Sequence, residues 1–138
     1  MQLLNMQSYA AKLNFEDVQD AINDKSVVLL STMDESRQQF LIPGTIPAQR
    51  EEEVINGLLE RGGRDSQRVI IYGECSADDA PFKRYKQLLS LGFRKAYVYP
   101  GGLLEWALLQ DVYGTELFPS LGSCSDILAY RGKSRWAG

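Results

Sequence analysis

The chain has no histidine and only two cysteines in 138 residues. The first absence removes Ser-His-Asp and Cys-His catalytic arrangements and the usual zinc ligand sets. The second leaves too few thiols for a disulfide framework, so Cys75 and Cys124 are expected to be reduced thiols in a cytoplasmic protein. No stretch approaches the run of about 20 apolar residues that a membrane span needs. The first five residues are too short and too uncharged a segment to read as a signal peptide. An excess of one charge is missing as well. Fifteen basic residues stand against 18 acidic ones, and the net charge of −3 gives no long-range pull on nucleic acid. The basic pairs Lys83-Arg84 and Arg94-Lys95 are scattered and read as solvated faces. No cofactor and no metal are expected.

What is present fits one globular domain over residues 1–138, with residues 1–12 and 121–138 expected to be peripheral or partly flexible. Three apolar runs stand out: Val27-Val28-Leu29-Leu30, Val69-Ile70-Ile71-Tyr72 and Ala96-Tyr97-Val98-Tyr99. They are rich in β-branched or aromatic residues and lack polar alternation, as strands covered on both faces do. Helical periodicity lies around them. Phe15 to Asn23 follows Asn14 as N-cap, and Glu51 to Arg61 ends at Gly62-Gly63. Pro81 to Leu91 starts on a proline that suits a first turn, and Leu103 to Gln110 follows Gly101-Gly102. The pattern predicts an α/β fold: a central, mostly parallel sheet of about five strands with helices on both faces. In the tail, Ile127, Leu128 and Tyr130 are the residues expected to pack.

In open α/β sheets ligands bind beyond the carboxyl ends of the strands. The second apolar run ends at Tyr72, and the segment Gly73-Glu74-Cys75-Ser76-Ala77-Asp78-Asp79-Ala80 leads into the helix at Pro81. A cysteine there sits where loop amides can form an anion nest and a helix N-terminus can lower a thiol pKa. Without histidine, these groups and nearby Lys or Arg are the means left to activate it.

Four segments in order resemble the rhodanese-like domain family. They are Leu41-Ile42-Pro43-Gly44-Thr45-Ile46-Pro47; the strand Val69 to Tyr72; Leu91-Gly92-Phe93 with Ala96 to Tyr99; and Gly101-Gly102-Leu103-Leu104-Glu105-Trp106, similar to the family's GGxxxW. The resemblance implies transfer of a sulfane sulfur from thiosulfate or a related donor to a thiophilic acceptor through a cysteine persulfide. It implies Cys75 as the catalytic residue and Ser76, Ala77, Asp78, Asp79 and Ala80 as the substrate-binding loop. Partners would be a small sulfur-containing anion, a thiol acceptor and possible protein partners. Two registers are open. Counted from the strand, Gly73 takes the cysteine's place; counted back from Leu91-Gly92-Phe93, Cys75 takes it. The loop also resembles a divergent branch with YGxNxxD, in which an asparagine stands where Cys75 stands.

Glu74, Asp78 and Asp79 surround Cys75 in sequence and are expected to raise its pKa and repel a thiosulfate dianion. Ser76, Lys83 or Arg84 would oppose them, Asp78 or Asp79 would cap the following helix, and Asp78→Arg is expected to raise turnover. The alternative function is a catalytically silent rhodanese-like module that binds a partner or a small anion. A related phosphatase is excluded, because the position where Cys-x5-Arg needs its phosphate-clamping arginine is Pro81. No Asp-x-Arg pair follows Leu29-Leu30, so the salt bridge common in relatives is expected to be missing. Trp106 reads as a core anchor, Gly101-Gly102 as a tight turn, and Cys124 as incidental.

Overall fold

A computed structural model describes residues 10–136. Its centre is a parallel sheet of three strands, β1 (Val27–Ser31), β2 (Arg68–Tyr72) and β3 (Lys95–Tyr99), in the order β1-β2-β3. Leu29 lies opposite Ile70, and Ile70 opposite Tyr97, so β2 is the inner strand. Helix α1 (Phe15–Ile22) precedes the sheet. Helices α2 (Ala48–Glu60) and α3 (Ala80–Ser90) lie between successive strands in the chain, and α4 (Gly102–Tyr113) follows β3.

Alternate residues of each strand point to opposite faces. Leu29, Ile70, Tyr72 and Tyr99 pack with Val18 of α1 and Trp106 of α4. Leu30, Val69, Ile71 and Val98 pack with Ile55 of α2 and Leu88 of α3. Both faces are therefore covered, which is why the strand interiors, Val27 to Leu30, Val69 to Tyr72 and Ala96 to Tyr99, lack polar alternation.

The strand count differs from expectation. The sheet is extended on each side by a single bridge in place of a full strand. Lys12 pairs with Val98, and Thr45 pairs with Leu29. Thr45 is flanked by Pro43 and Pro47, which have no N–H to donate, and by Gly44 at φ +89°. On the other side, the N-cap Asn14 opens α1 two residues after Lys12. Its side chain accepts from the Asp17 N–H at 3.0 Å while Asp17 accepts from the Asn14 N–H at 3.1 Å, a reciprocal cap. Helix α2 starts at Ala48, three residues before the predicted Glu51, directly after Pro47.

The motif that holds Ile42 to Thr45 is tied to the site strand by Tyr72. The Ile42 N–H donates to the Tyr72 hydroxyl at 3.2 Å, the Tyr72 and Thr45 hydroxyls are 2.6 Å apart, and Thr45 Oγ1 donates to the Ile42 carbonyl at 2.6 Å. Burial raises the Tyr72 pKa above its ordinary value, so the phenol stays neutral. At the end of β1, Ser31 is buried and its Oγ accepts from the Met33 N–H at 3.1 Å.

The tail is attached to this frame. Leu41 and Leu121 form an antiparallel bridge, and Tyr130 is buried with its ring 6.0 Å from that of Phe40. Ile127 is partly buried against the core, whereas Leu128, expected to pack, is 61% exposed. The short 3₁₀ turn Ile127–Tyr130 rotates its side chains so that Leu128 points outward when Tyr130 points in. Expectations for residues 1–9 and 137–138 lie outside the described residues.

Candidate functional site

The loop between β2 and α3 holds Cys75 at the carboxyl end of the inner strand. Its form is set by Asp78. One carboxylate oxygen accepts the Glu74 N–H at 3.1 Å, the other accepts the Ala80 N–H at 3.0 Å, and the Asp78 N–H donates to the Cys75 carbonyl at 3.1 Å. Asp78 therefore binds loop amides and the first residue of α3, while Asp79 holds the N-cap position without a side-chain cap hydrogen bond.

The loop is clasped from the other side by α4. Leu103 N–H donates to the Gly73 carbonyl at 2.9 Å and Leu104 N–H to the Glu74 carbonyl at 2.7 Å. The free amides of that helix N-terminus are thus spent on the loop. Gly101 is right-handed helical, whereas Gly102 has φ +63°, and a Cβ at Gly102 would lie 2.5 Å from the Gly73 carbonyl oxygen. Of the two glycines, Gly102 is the one the close approach requires. Gly73, the alternative place for a nucleophile, is filled on every side. A Cβ there would be 2.8 Å from both Pro81 Cγ and Thr32 Oγ1.

Two of the three acids that neighbour Cys75 in sequence, Glu74 and Asp78, are engaged by other groups. Glu74 pairs with Arg37 at 2.6 Å, and Arg37 also donates to the Ala129 carbonyl at 3.2 Å. Arg37 is the residue that sequence reading missed. It ends the short 3₁₀ turn Glu35–Arg37, 37 positions from Glu74, and no local pattern announces the contact. The expected basic helpers are elsewhere. Arg84 pairs with Glu51 at 2.6 Å, and Lys83 lines a separate cleft with Ser31, Thr32 and Glu51. Ser76 and Ala77 are exposed, Ala80 is half-buried, and the N–H groups of Cys75, Ser76 and Ala77 donate to no acceptor among the described residues.

Cys75 is 6% exposed and belongs to neither apolar cluster. It is covered by the tail: a Cβ at Gly132 would lie 3.9 Å from Cys75 Sγ and 3.3 Å from Ala77 Cβ. The thiol is therefore buried beneath the tail. The sequence could not show this, because it depends on where residues 131–134 return to in space. Cys124 is half-buried against the core and shares a cleft with Arg37, Gln39 and Tyr130.

The same geometry reverses the expectation for Asp78→Arg. Removing a carboxylate that holds two amides costs about 1.5–3 kcal/mol for each hydrogen bond to a charged group, less where water reaches it. The variant is expected to unfold at lower urea concentration and to lose, not gain, reactivity at Cys75. Equilibrium denaturation together with the rate of Cys75 modification reads both effects.

An open α/β sheet with a cysteine loop at the end of its inner strand, clasped by a Gly-Gly helix start, defines a class of domain. The chain belongs to that class as a member of the rhodanese-like domain family, whose model matches residues 14–109. Solved structures share the fold. The BH2092 protein from Bacillus halodurans is 20% identical with a TM-score of 0.58, covering 79% of this chain and 77% of that one. The Alr3790 protein from Anabaena sp. is 20% identical with a TM-score of 0.55, over 85% and 84%. An uncharacterized protein from Saccharomyces cerevisiae is 19% identical with a TM-score of 0.54, over 72% and 92%. None of the curated proteins matches the chain in sequence. Among the described residues no helix is long and apolar enough to cross a membrane.

Proposed function

We propose that this rhodanese-like domain is a sulfurtransferase with Cys75 as its sulfur carrier, working in the cytoplasm where the thiol is kept reduced. The observation that supports this most is the state of the loop acids. Cys75 stands at the carboxyl end of β2, while Glu74 is engaged by Arg37 and Asp78 by loop amides. The repulsion that the sequence order threatened is thereby reduced at the thiol.

In the first half-reaction the Cys75 thiolate attacks the outer sulfur of thiosulfate. A Cys75 Sγ–S bond forms, the S–S bond of the donor breaks, and sulfite leaves with the electron pair. In the second, a thiolate or cyanide acceptor attacks the terminal sulfur, and Cys75 leaves as thiolate. The loop amides of Cys75, Ser76 and Ala77 and the N-terminus of α3 stabilise the anionic forms. A helix terminus contributes only about 0.3–1 kcal/mol at an exposed site, so turnover is expected to be slow. The acceptor is a small thiol or a thiol on a protein partner.

Thiosulfate is expected to add one sulfur to the intact protein, cyanide to remove it, and Cys75→Ser to abolish both while leaving the denaturation midpoint unchanged. Intact-mass spectrometry reads the cycle. The 6% exposure of Cys75 favours a second reading, a silent module that binds a partner or an anion. Absence of sulfur uptake at Cys75 in the folded protein would decide for it.

A further inference from the structure

The loop that carries Cys75 has no lysine or arginine between Gly73 and Ala80. If an anionic donor is recognised, cations must reach the thiol from another part of the chain. The tail brings them. A cleft of about 450 Å³ opens beside the loop, lined by Arg37 and Glu74 from the body and by Ala129 and residues 131–134 from the tail. It contains three cations and one carboxylate, and that carboxylate is held by Arg37 at 2.6 Å. Arg131 and Lys133 form no ion pair among the described residues.

Their position is tied to the thiol by the residue between them. Gly132 lies against Cys75, a Cβ there being 3.9 Å from Sγ, so one cation stands on each side of that cover in the chain. Successive Cα atoms are about 3.8 Å apart, which keeps both residues within a screening length of about 8–10 Å from the cover. Arg131 is also partly fixed: its Nη1 donates to the Leu128 carbonyl at 2.8 Å, leaving the rest of the guanidinium for a ligand.

We infer that Arg131 and Lys133 are the residues that select the donor, drawing a small oxyanion such as thiosulfate into the cleft between the tail and the Cys75 loop. The inference rests on Cys75 being the reactive thiol of the proposed function. It extends that reading by assigning anion recognition to the tail and not to the loop. Neutral reagents gain nothing from these charges, so selection should appear as a ratio of rates.

The test uses the full chain and two alkylating reagents of similar size, iodoacetate and iodoacetamide. Each forms an S–C bond at the Cys75 thiolate and releases iodide. Peptide mapping separates Cys75 from Cys124. With Arg131→Glu and Lys133→Glu combined, the iodoacetate rate at Cys75 is expected to fall about tenfold relative to iodoacetamide, within the roughly 25-fold that two exposed charge interactions of at most about fivefold each allow. The difference should shrink as salt rises. Arg131→Lys with Lys133→Arg should keep the wild-type ratio. An unchanged ratio in the charge-reversed protein overturns the inference. So does an equal rise for both reagents, which would mark the tail as a cover without selectivity. Thiosulfate loading is measured in parallel. If wild-type Cys75 takes up no sulfur but the alkylation ratio shifts as expected, the sulfurtransferase reading fails and the anion-selecting tail stands.

Discussion

Trp106→Ala is expected to lower the folding stability by about 3–5 kcal/mol, the usual cost of emptying a buried aromatic site. Trp106 is fully buried on α4. Its ring meets Phe118 edge-on at 5.1 Å between centroids and Tyr99 edge-on at 6.2 Å. Its indole N–H donates to the Pro119 carbonyl at 2.8 Å, so the substitution opens a cavity and also strands an acceptor. Three elements lose their common anchor: β3 through Tyr99, α4 itself, and the segment after α4 through Phe118 and Pro119. Set against a total of about 5–15 kcal/mol for a typical domain, this is a large fraction. Urea denaturation should show the midpoint falling by more than about 1 M, given slopes of about 1–3 kcal/mol/M for small proteins. Trp106→Phe should recover most of the packing and lose the hydrogen bond, giving an intermediate midpoint. A midpoint for the alanine variant within experimental error of wild type would contradict the anchoring role.

The second large effect is expected at Gly102. Gly102→Val places a β-branched side chain at φ +63°, with its Cβ 2.5 Å from the Gly73 carbonyl oxygen and 2.9 Å from the Glu74 carbonyl carbon. Both obstacles are backbone atoms of the Cys75 loop, so no side chain can turn away to make room. Backbone strain of about 1–3 kcal/mol and overpacking of a similar size add to about 2–6 kcal/mol. Relief requires α4 to retreat from the loop, which breaks the Leu103 and Leu104 amide bonds to Gly73 and Glu74. The variant should therefore lose stability and loosen the loop, and the two should be seen together. Hydrogen exchange at the Leu103 and Leu104 amides should rise more than exchange in β2, and modification of Cys75 should lose its dependence on reagent charge. Gly101→Ala is the control. Its backbone is right-handed helical, and the group that a Cβ meets there is the Glu105 side chain. Its cost is confined to moving that side chain, which accepts the Tyr99 hydroxyl at 2.6 Å. Equal losses for Gly101→Ala and Gly102→Val would show that the loop contact is not the cause.

Much of the frame follows from local pattern alone. The runs at Val27, Val69 and Ala96 are strands, and Asn14 caps α1. Cys75 falls between the end of β2 and the start of α3. Periodicity and capping act over a few residues, so they are visible in the chain itself. The number of full strands was less visible, because pairing at Lys12 and Thr45 depends on how much backbone the adjoining cap and prolines leave free.

The site divides in the same way. That a cysteine would stand at the end of the inner strand, among acids and before a helix, was a property of the sequence. What those acids do was not. The Asp78 carboxylate turns inward onto the Glu74 and Ala80 amides, so it shapes the loop where the sequence reading had it repel a donor. Arg37 meets Glu74 across 37 positions, and Gly132 covers Cys75 across 57. Contacts of that separation are chosen by the packing of Tyr130 on Phe40 and the bridge between Leu41 and Leu121, which fix where the tail returns. Sequence order fixes which charges neighbour Cys75 along the chain. The tertiary structure alone decides which of them face it, because charges interact through space and not along the backbone.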